Sequence, residues 1–284
     1  MTENEPLIRN ISDTALWVAM YRARETDRPD ALFRDPLARR LAGERGAEIE
    51  AATRKSTSNP WPFVTRTVLF DSAIAREVRA GADVVVNLAC GLDTRPYRMD
   101  VPPSLLWIEV DLPGIIDEKE RVLCDERPRC AVERVRLDLA DVAARSRFLD
   151  GLGARGRRIV FVSEGLIIYL TREQVAELAT DLARVPTAQR WILDLATLGL
   201  LKWMQRRLGK HLEHANAPFL FGPEEGVEFF TPLGWGAVDV QSMFKAAGKL
   251  GRLPLIMRLF SLLPEPTRPR PNQPWSGVCV FERA

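Results

Sequence analysis

The sequence predicts an α/β fold with a mostly parallel sheet at its centre. Apolar runs rich in valine and isoleucine recur along the chain, each with the length of a buried parallel strand. Helical patterns lie between several of these runs, and strands that alternate with helices indicate βαβ units. The predicted strands of this alternating part are 84–88, 105–110, 132–137, 158–162 and 191–195.

Helices are predicted before, within and after this alternating part. The helix at 171–184 is the clearest, because Thr171 and Gln174 have the spacing of a capping box. Polar residues and prolines predict a loop at 55–62. The remaining predictions are helices at 12–25, 36–52 and 63–80, a helical mixed-charge stretch at 197–222, a helix near 223–232, a strand near 236–240, a helix at 241–250 and a last strand at 277–281.

The composition argues against several classes of protein. Among 284 residues, 40 are Lys or Arg and 38 are Asp or Glu, and a net charge of +2 argues against a nucleic-acid-binding surface. The first residues carry acids rather than an apolar run, and no uninterrupted apolar stretch reaches the roughly 18 residues of a membrane span. We therefore expect a cytoplasmic protein with neither a nucleic-acid nor a membrane partner.

The cysteines and histidines do not form a metal-binding pattern. The four cysteines are Cys90, Cys124, Cys130 and Cys279. No two of them form a CxxC pair, and both histidines of the chain lie far from all four. We expect reduced thiols, with neither a metal site nor a disulfide framework.

Two segments near the end of the chain are open to more than one interpretation. Residues 250–263 are apolar-rich and could form a dimer face or a membrane-surface helix, although packing in the core or lid is favoured. A homodimer therefore stays open. Five prolines lie between Pro264 and Pro274, and we expect a stiff surface connection there rather than a polyproline ligand.

Candidate site residues follow the predicted strands, because open α/β sheets bind ligands at the carboxyl ends of their strands. After the first strand, Ala89 and Gly91 would let the backbone approach a ligand closely, although a tight turn explains them as well. After the second, Asp111 lies 20 residues beyond Gly91, the spacing at which a carboxylate binds a ribose diol. A helix N-cap is the alternative there, since Pro113 could open a helix.

Later strand ends and one upstream helix add further candidates. Asp138 could accept a hydrogen bond from an adenine amino group beside the apolar Leu139, or it could cap a helix. Glu164 has an apolar neighbourhood and needs a partner, which a cationic ligand would provide. Arg66, on the predicted helix 63–80, could bind a carboxylate bidentately or lie on the surface.

Together these positions describe a ligand with a ribose diol, an adenine, a positive group and a carboxylate. S-adenosylmethionine has all four groups. A nicotinamide dinucleotide would need more glycines and a pyrophosphate site at the helix N-terminus. Asp93, near that helix start, would repel a phosphate and suits an ammonium group. The predicted cofactor is therefore S-adenosylmethionine.

Five blocks of sequence also carry a resemblance to a known family. In order, they are 66–67, 87–98, 109–113, 138–139 and 164–170. In these blocks the chain resembles the leucine carboxyl methyltransferase family, and more closely its bacterial branch of natural-product O-methyltransferases of the tetracenomycin carboxyl-methyltransferase type. The segment 30–38 also resembles that branch.

The resemblance implies a class I S-adenosylmethionine-dependent methyltransferase fold, with a seven-stranded sheet whose last strand is antiparallel. A single domain is expected, with an N-terminal helical cap (1–82), a cofactor-binding core (83–196), a helical lid insertion (197–232) and the rest of the core (233–284). The implied cofactor contacts are Arg66 with the methionine carboxylate, Ala89 and Gly91 with the methionine backbone, Asp111 with the ribose, Asp138 and Leu139 with the adenine, and Glu164 with the amino-acid end; Leu112 is a further cofactor-binding position. The family often has glycine at the position of Ala89, and we expect the alanine to have little effect.

The implied activity is methyl transfer to a carboxyl or hydroxyl oxygen of a small polyketide-like natural product, with S-adenosylhomocysteine as the other product. Tyr169 could orient the acceptor or simply pack. His211 and His214 are one helical turn apart, and one could act as a general base unless both lie on a solvated lid helix. The aromatic residues that could wall an apolar substrate, or pack within the lid, are Trp203, Phe219 and Phe221. Methyl-esterification of a protein C-terminus and a non-catalytic nucleoside-binding regulator are the alternative functions.

Overall fold

A computed structural model of the protein describes residues 11–53, 60–153, 155, 157–213, 219–265 and 270–284. The helices are α1 (Ile11–Thr26), α2 (Ala38–Thr53), α3 (Trp61–Arg79), α4 (Arg95–Arg98), α5 (Pro113–Val122), α6 (Val142–Gly153), α7 (Arg172–Arg184), α8 (Leu198–Glu213), α9 (Met243–Lys249) and α10 (Leu255–Phe260). The strands are β1 (Val84–Leu88), β2 (Leu106–Asp111), β3 (Ala131–Arg136), β4 (Ile159–Ser163), β5 (Ala188–Ala196), β6 (Trp235–Ser242) and β7 (Ser276–Arg283). Two 3₁₀ segments lie at Ile167–Tyr169 and Gly226–Leu233.

The seven strands form one sheet in the order β3-β2-β1-β4-β5-β7-β6. Strands β1 to β5 are parallel, and β7 runs antiparallel between β5 and β6. This topology confirms the predicted fold, including its antiparallel last strand. The strand order reverses between β1 and β4, and such a switch point opens a crevice at the carboxyl ends of the strands.

The central strands β1 and β4 are mostly apolar because helices cover both faces of the sheet. Every residue of β1 is buried. Val84 and Val86 belong to the cluster that includes Val175 of α7, whereas Val85 packs in the cluster that includes Phe70 of α3. A strand covered on both sides loses the polar alternation of a half-exposed strand, which explains the continuous apolar runs in the sequence.

Several element boundaries differ from the prediction for local physical reasons. Helix α3 begins at Trp61 rather than at residue 63, because Pro62 fits the first helical turn, where a missing N–H has no consequence. The segment near 223–232 is a 3₁₀ helix with Pro232 inside it rather than an α-helix. Strand β5 begins at Ala188, three residues before the predicted start. The capping box of α7 is present, with Thr171 and Gln174 in the predicted roles.

The structure answers the two predictions for the C-terminal segments differently. Helix α10 has no buried residue, so the favoured interpretation of 250–263 as core or lid packing is wrong for this helix. Residues 266–269 of the proline-rich segment lie outside the described part of the chain, but its end packs on the start of α8. There the backbone N–H of Gly199 donates to the carbonyl of Pro271 at 2.7 Å. No helix among the described residues is long and apolar enough to cross a membrane.

Candidate cofactor and acceptor site

A cavity of about 410 Å³ opens at the carboxyl ends of the central strands, where α1, α3 and α8 close over it. All eight predicted cofactor positions line this cavity: Arg66, Ala89, Gly91, Asp111, Leu112, Asp138, Leu139 and Glu164. The structure thus brings together residues that are up to 98 positions apart in sequence. Their roles in binding a cofactor stay predictions.

The turn after β1 has a left-handed backbone at two positions. Gly91 has φ +50° and Ala89 has φ +53°. A left-handed conformation is free for glycine but costs about 1–2 kcal/mol for a residue with a Cβ. Ala89 therefore carries local strain, which is a larger effect than the sequence prediction allowed for this departure from the family pattern.

Asp111 is fixed against this turn by two backbone N–H groups. Gly91 donates to Oδ2 of Asp111 at 2.6 Å, and Leu112 donates to Oδ1 at 2.7 Å. Asp111 is not the N-cap of α5, because Leu112 holds that position ahead of Pro113. Burial raises the pKa of Asp111 although both N–H groups oppose this shift. Each carboxylate oxygen has a second lone pair, so the group can still accept two ribose hydroxyls.

Asp138 lies at the rim of the cavity and is exposed. Its Oδ1 accepts a hydrogen bond from the backbone N–H of Ala140 at 2.9 Å. The side chain that accepts from the first turn of α6 is Asp141, through the N–H of Ala144 at 2.9 Å, so Asp138 does not cap this helix. Arg145 donates to the carbonyl of Leu139 at 2.6 Å and fixes the apolar wall beside Asp138.

Arg66 and Glu164 form an ion pair in the wall of the cavity. The Nε of Arg66 lies 3.0 Å from Oε1 of Glu164, and its Nη1 lies 3.3 Å from Oδ2 of Asp194. Asp194 also accepts a 2.6 Å hydrogen bond from the N–H of Gly165, which has φ +68°. Only 16% of the Arg66 side chain is exposed, so the interpretation as a surface arginine is wrong.

The expectation that Glu164 needs a cationic ligand is also wrong, because two arginines already neutralise it. Nη2 of Arg95 lies 2.7 Å from Oε2 of Glu164, opposite the contact with Arg66. Burial opposes ionisation of Glu164, but Arg95 and then Arg66 outweigh it and hold its pKa below the ordinary value. Burial raises the pKa of Asp194 in spite of Arg66.

Arg95 connects Glu164 to two further carboxylates. Its Nη1 lies 3.0 Å from Oδ2 of Asp93, and its Nε lies 2.7 Å from Oδ1 of Asp71 on α3. Asn87 of β1 donates to the same oxygen of Asp93 at 2.7 Å. Burial alone would raise the pKa of Asp93, but Arg95 and other cations lower it to about 2. The sequence prediction did not include Arg95, Asp71 or Asp194.

A second part of the cavity is apolar and aromatic. Trp17 of α1, Phe63 of α3, Tyr169 and Phe219 line it, and the rings of Tyr169 and Phe219 lie 5.6 Å apart. Met204 of α8 completes this wall. Burial raises the pKa of Tyr169, so its hydroxyl is a donor at neutral pH.

The other acceptor-site predictions have different outcomes. Trp203 is 46% exposed and does not line the cavity. Phe221 is buried in the core, with its ring 5.0 Å from that of Phe229. His214 lies outside the described residues; His211 lies in α8, but its side chain is outside the described part. The general-base prediction for the two histidines therefore stays a prediction.

The charges that line the cavity are nearly balanced. Four arginines and five carboxylates lie among the described lining residues. They are Arg22, Arg66, Arg95 and Arg145, and Asp93, Asp111, Asp138, Glu164 and Asp194. The excess of one carboxylate suits a ligand that carries a net positive charge, and the many arginines suit one that also carries a carboxylate.

The fold and the cavity define a class I methyltransferase architecture with a nucleoside-sized site at the switch point of the sheet. The sequence pattern of the leucine carboxyl methyltransferase family matches residues 15–183. The chain belongs to this family, which confirms the predicted family; its tetracenomycin branch stays a prediction.

Two relatives agree with this assignment. A Streptomyces avermitilis protein named as an S-adenosyl-L-methionine-dependent methyltransferase is 31% identical over 255 residues, covering 84% of this chain and 87% of the relative. A Frankia alni protein with the same description is 34% identical over 240 residues, covering 79% and 82%.

Two solved structures support the fold alone. A Thermobifida fusca structure, described as a methyltransferase, matches with a TM-score of 0.60 at 14% identity and covers 98% of this chain and 96% of its own. A DUF574 family protein from Streptomyces avermitilis matches with a TM-score of 0.59 at 15% identity and covers 94% and 97%.

Proposed function

We propose that the protein is an S-adenosylmethionine-dependent O-methyltransferase that methylates a carboxyl or hydroxyl oxygen of a small, apolar natural product of the polyketide type. The observation that carries this proposal is the division of one cavity into a charged part around Asp111, Glu164 and Arg66 and an aromatic part around Tyr169. The first part fits the cofactor and the second fits an apolar acceptor. The proposed location is the cytoplasm, in keeping with four cysteines that are all free.

The charged part fits the cofactor group by group. Asp111 accepts the two ribose hydroxyls, and Asp138 accepts from the adenine amino group beside Leu139. Arg66 uses Nε and Nη1 in its contacts with Glu164 and Asp194, so Nη2 is left to donate to the methionine carboxylate. Glu164 contributes to binding the amino-acid end of the cofactor by holding Arg66 in place.

The cofactor supplies an activated methyl group on a sulfonium centre, so the protein mainly has to hold the acceptor oxygen in line with it. Trp17, Phe63, Phe219 and Met204 exclude water and orient an apolar acceptor. The Tyr169 hydroxyl donates a hydrogen bond to the acceptor. A carboxylate acceptor is ionised at pH 7 and needs no base, whereas a phenol, with a pKa near 10, needs one. His211 or His214 is the candidate base for a phenol.

Calorimetric titration of S-adenosylhomocysteine tests the cofactor assignment. We expect saturable binding to the wild type and at least a tenfold loss of affinity in Asp111→Ala, because two hydrogen bonds to a charged acceptor disappear. The matched control is Asp117→Ala, which removes an exposed carboxylate six positions further along the chain, in α5. Absence of binding to the wild type would overturn the proposal.

Transfer of a labelled methyl group tests the acceptor class. We would compare small aromatic carboxylic acids, phenols and a peptide that ends in leucine. Mild base releases the label from a methyl ester as methanol but not from a methyl ether, so the product identifies the oxygen. We expect Tyr169→Phe to lower turnover of an accepted small molecule while cofactor affinity is unchanged. Turnover of the peptide alone would instead assign methyl-esterification of a protein C-terminus.

A further inference from the structure

An exposed apolar patch covers α10 and the turn that follows it. We call residues 255–263 the α10 patch. Six large apolar side chains in it are between 57% and 81% exposed. They are Leu255, Ile256, Leu259, Phe260, Leu262 and Leu263. Exposed apolar side chains that occur singly are ordinary, but six within nine residues form a patch of the kind that marks an interaction site.

The α10 patch is held in place by contacts on its opposite side. Ser261 is buried against Gly248 of α9, where a Cβ on residue 248 would lie 2.0 Å from the Ser261 Oγ. Lys245 of α9 donates to the carbonyl of Leu263, and Leu253 is buried just before α10. The apolar side chains therefore point outward from a built support, not from a loose end of the chain.

The charges around the patch are basic. Lys245, Lys249 and Arg258 make no ion pair with the described residues, whereas Arg252 is neutralised by Glu25 at 2.7 Å and Asp30 at 3.1 Å. The acid within the adjoining segment is Glu265, whose carboxylate accepts from Ser242 at 2.9 Å. The patch thus combines outward apolar side chains with two cations that make no ion pair with the described residues, Lys245 beside Leu263 and Arg258 within α10. Lys249, exposed at the end of the adjoining α9, adds a third.

We propose that the α10 patch inserts into an anionic lipid surface. Apolar side chains that enter the headgroup boundary and cations that contact anionic headgroups are the two attractive forces of a peripheral membrane helix. A second copy of the chain fits less well, because its own patch would present the same cations rather than the anions that Lys245, Lys249 and Arg258 lack. This assignment replaces the expectation of no membrane partner, and it does not depend on the acceptor that the enzyme uses.

Cosedimentation with vesicles tests this assignment. Vesicles of phosphatidylcholine alone and of phosphatidylcholine with phosphatidylglycerol would be compared, at low and high salt. We expect binding to the mixed vesicles that salt weakens, and at least a tenfold loss in Leu255→Ser/Leu259→Ser. Arg258→Glu should lose the preference for phosphatidylglycerol. The matched control, Val142→Ser/Leu220→Ser, removes two exposed apolar side chains elsewhere and should bind as the wild type does.

The folded state of each variant is checked by its thermal midpoint and by binding of S-adenosylhomocysteine. Because Leu255 and Leu259 are exposed, both readouts should match the wild type. Equal vesicle binding by all variants, or none by the wild type, would overturn the assignment. A concentration-dependent dimer that Leu255→Ser/Leu259→Ser dissociates, without vesicle binding, would also overturn it and make the patch a contact between copies.

Discussion

The guanidinium of Arg66 and the carboxylate of Glu164 meet at 3.0 Å although 98 residues separate them in the chain. This contact joins α3, which lies before the sheet, to the end of β4 at its centre. Arg95 binds the other oxygen of the same carboxylate at 2.7 Å. One acid therefore fixes the direction of two arginines at the cavity.

Replacing Glu164 with glutamine should weaken both folding and cofactor binding. The substitution removes the one carboxylate that the two buried arginines share, and breaking a buried pair costs about 3–5 kcal/mol. Arg66 would also lose its orientation toward the cofactor carboxylate. Denaturant unfolding and S-adenosylhomocysteine titration measure the two effects. Glu224→Gln, an exposed acid, is the control and should change neither.

Replacing Ala89 with glycine should stabilise the protein. Relief of the left-handed strain is worth about 1–2 kcal/mol, and the greater freedom of glycine in the unfolded chain offsets about 0.5–1 kcal/mol of it. Denaturant unfolding should therefore show a net gain of up to about 1.5 kcal/mol. Ala80→Gly is the matched comparison, because Ala80 has φ −77°. A loss of stability in Ala89→Gly equal to that in Ala80→Gly would contradict the strain argument.

The ionised Asp93 carboxylate should stabilise the folded protein at neutral pH, and this contribution should disappear in acid. Its pKa is about 2 in the folded protein against an ordinary value of 3.8. A carboxylate with a lowered pKa stabilises the fold above its unfolded pKa, and the contribution disappears as the pH falls through the folded pKa. The shift corresponds to about 2.5 kcal/mol.

The comparison of wild type with Asp93→Asn measures this contribution. Unfolding free energies at a series of pH values should show a difference that is constant above about pH 4 and shrinks toward pH 2. A difference that stays constant down to pH 2 would mean that the ionisation of Asp93 is not the cause.

Gly199 should resist substitution at the base of α8. A Cβ on Gly199 would lie 2.5 Å from the backbone carbonyl of Asn272, so Gly199→Ala must displace one of the two segments. We expect a loss of about 1–3 kcal/mol in unfolding free energy. A Cβ on Gly114 in α5 would have no heavy atom within 4 Å. Gly114→Ala should therefore raise the unfolding free energy by up to about 1 kcal/mol through helix propensity. A gain in both variants would show that the segments do not touch in solution.

The fold was predictable because its signals are local. Strand β1 is buried along its whole length, and four of its five residues are apolar. The spacing of Thr171 and Gln174 predicts the start of α7. The position of α10 was not predictable. Its apolar residues have the pattern of a packed helix, and they point outward because Ser261, Lys245 and Leu253 anchor the opposite side.

The residues expected to touch the ligand were predictable from the sequence. The residues that hold them in place were less predictable. Asp111 follows from spacing, whereas Arg95 and Asp71 act through other side chains and carry no spacing signal. Asp194 could have been found, because it lies near the end of the fifth predicted strand, where the rule for strand ends also applies.

The excess of one carboxylate around the cavity also bears on what happens after methyl transfer. The sulfonium charge disappears when the cofactor becomes S-adenosylhomocysteine, while the four arginines and five carboxylates of the lining stay as they were. The cavity therefore attracts S-adenosylhomocysteine less strongly than S-adenosylmethionine. Methyl transfer therefore favours the replacement of S-adenosylhomocysteine by S-adenosylmethionine. Because lower salt strengthens the attraction of the cavity for the positively charged cofactor, inhibition by S-adenosylhomocysteine should grow weaker as salt is lowered.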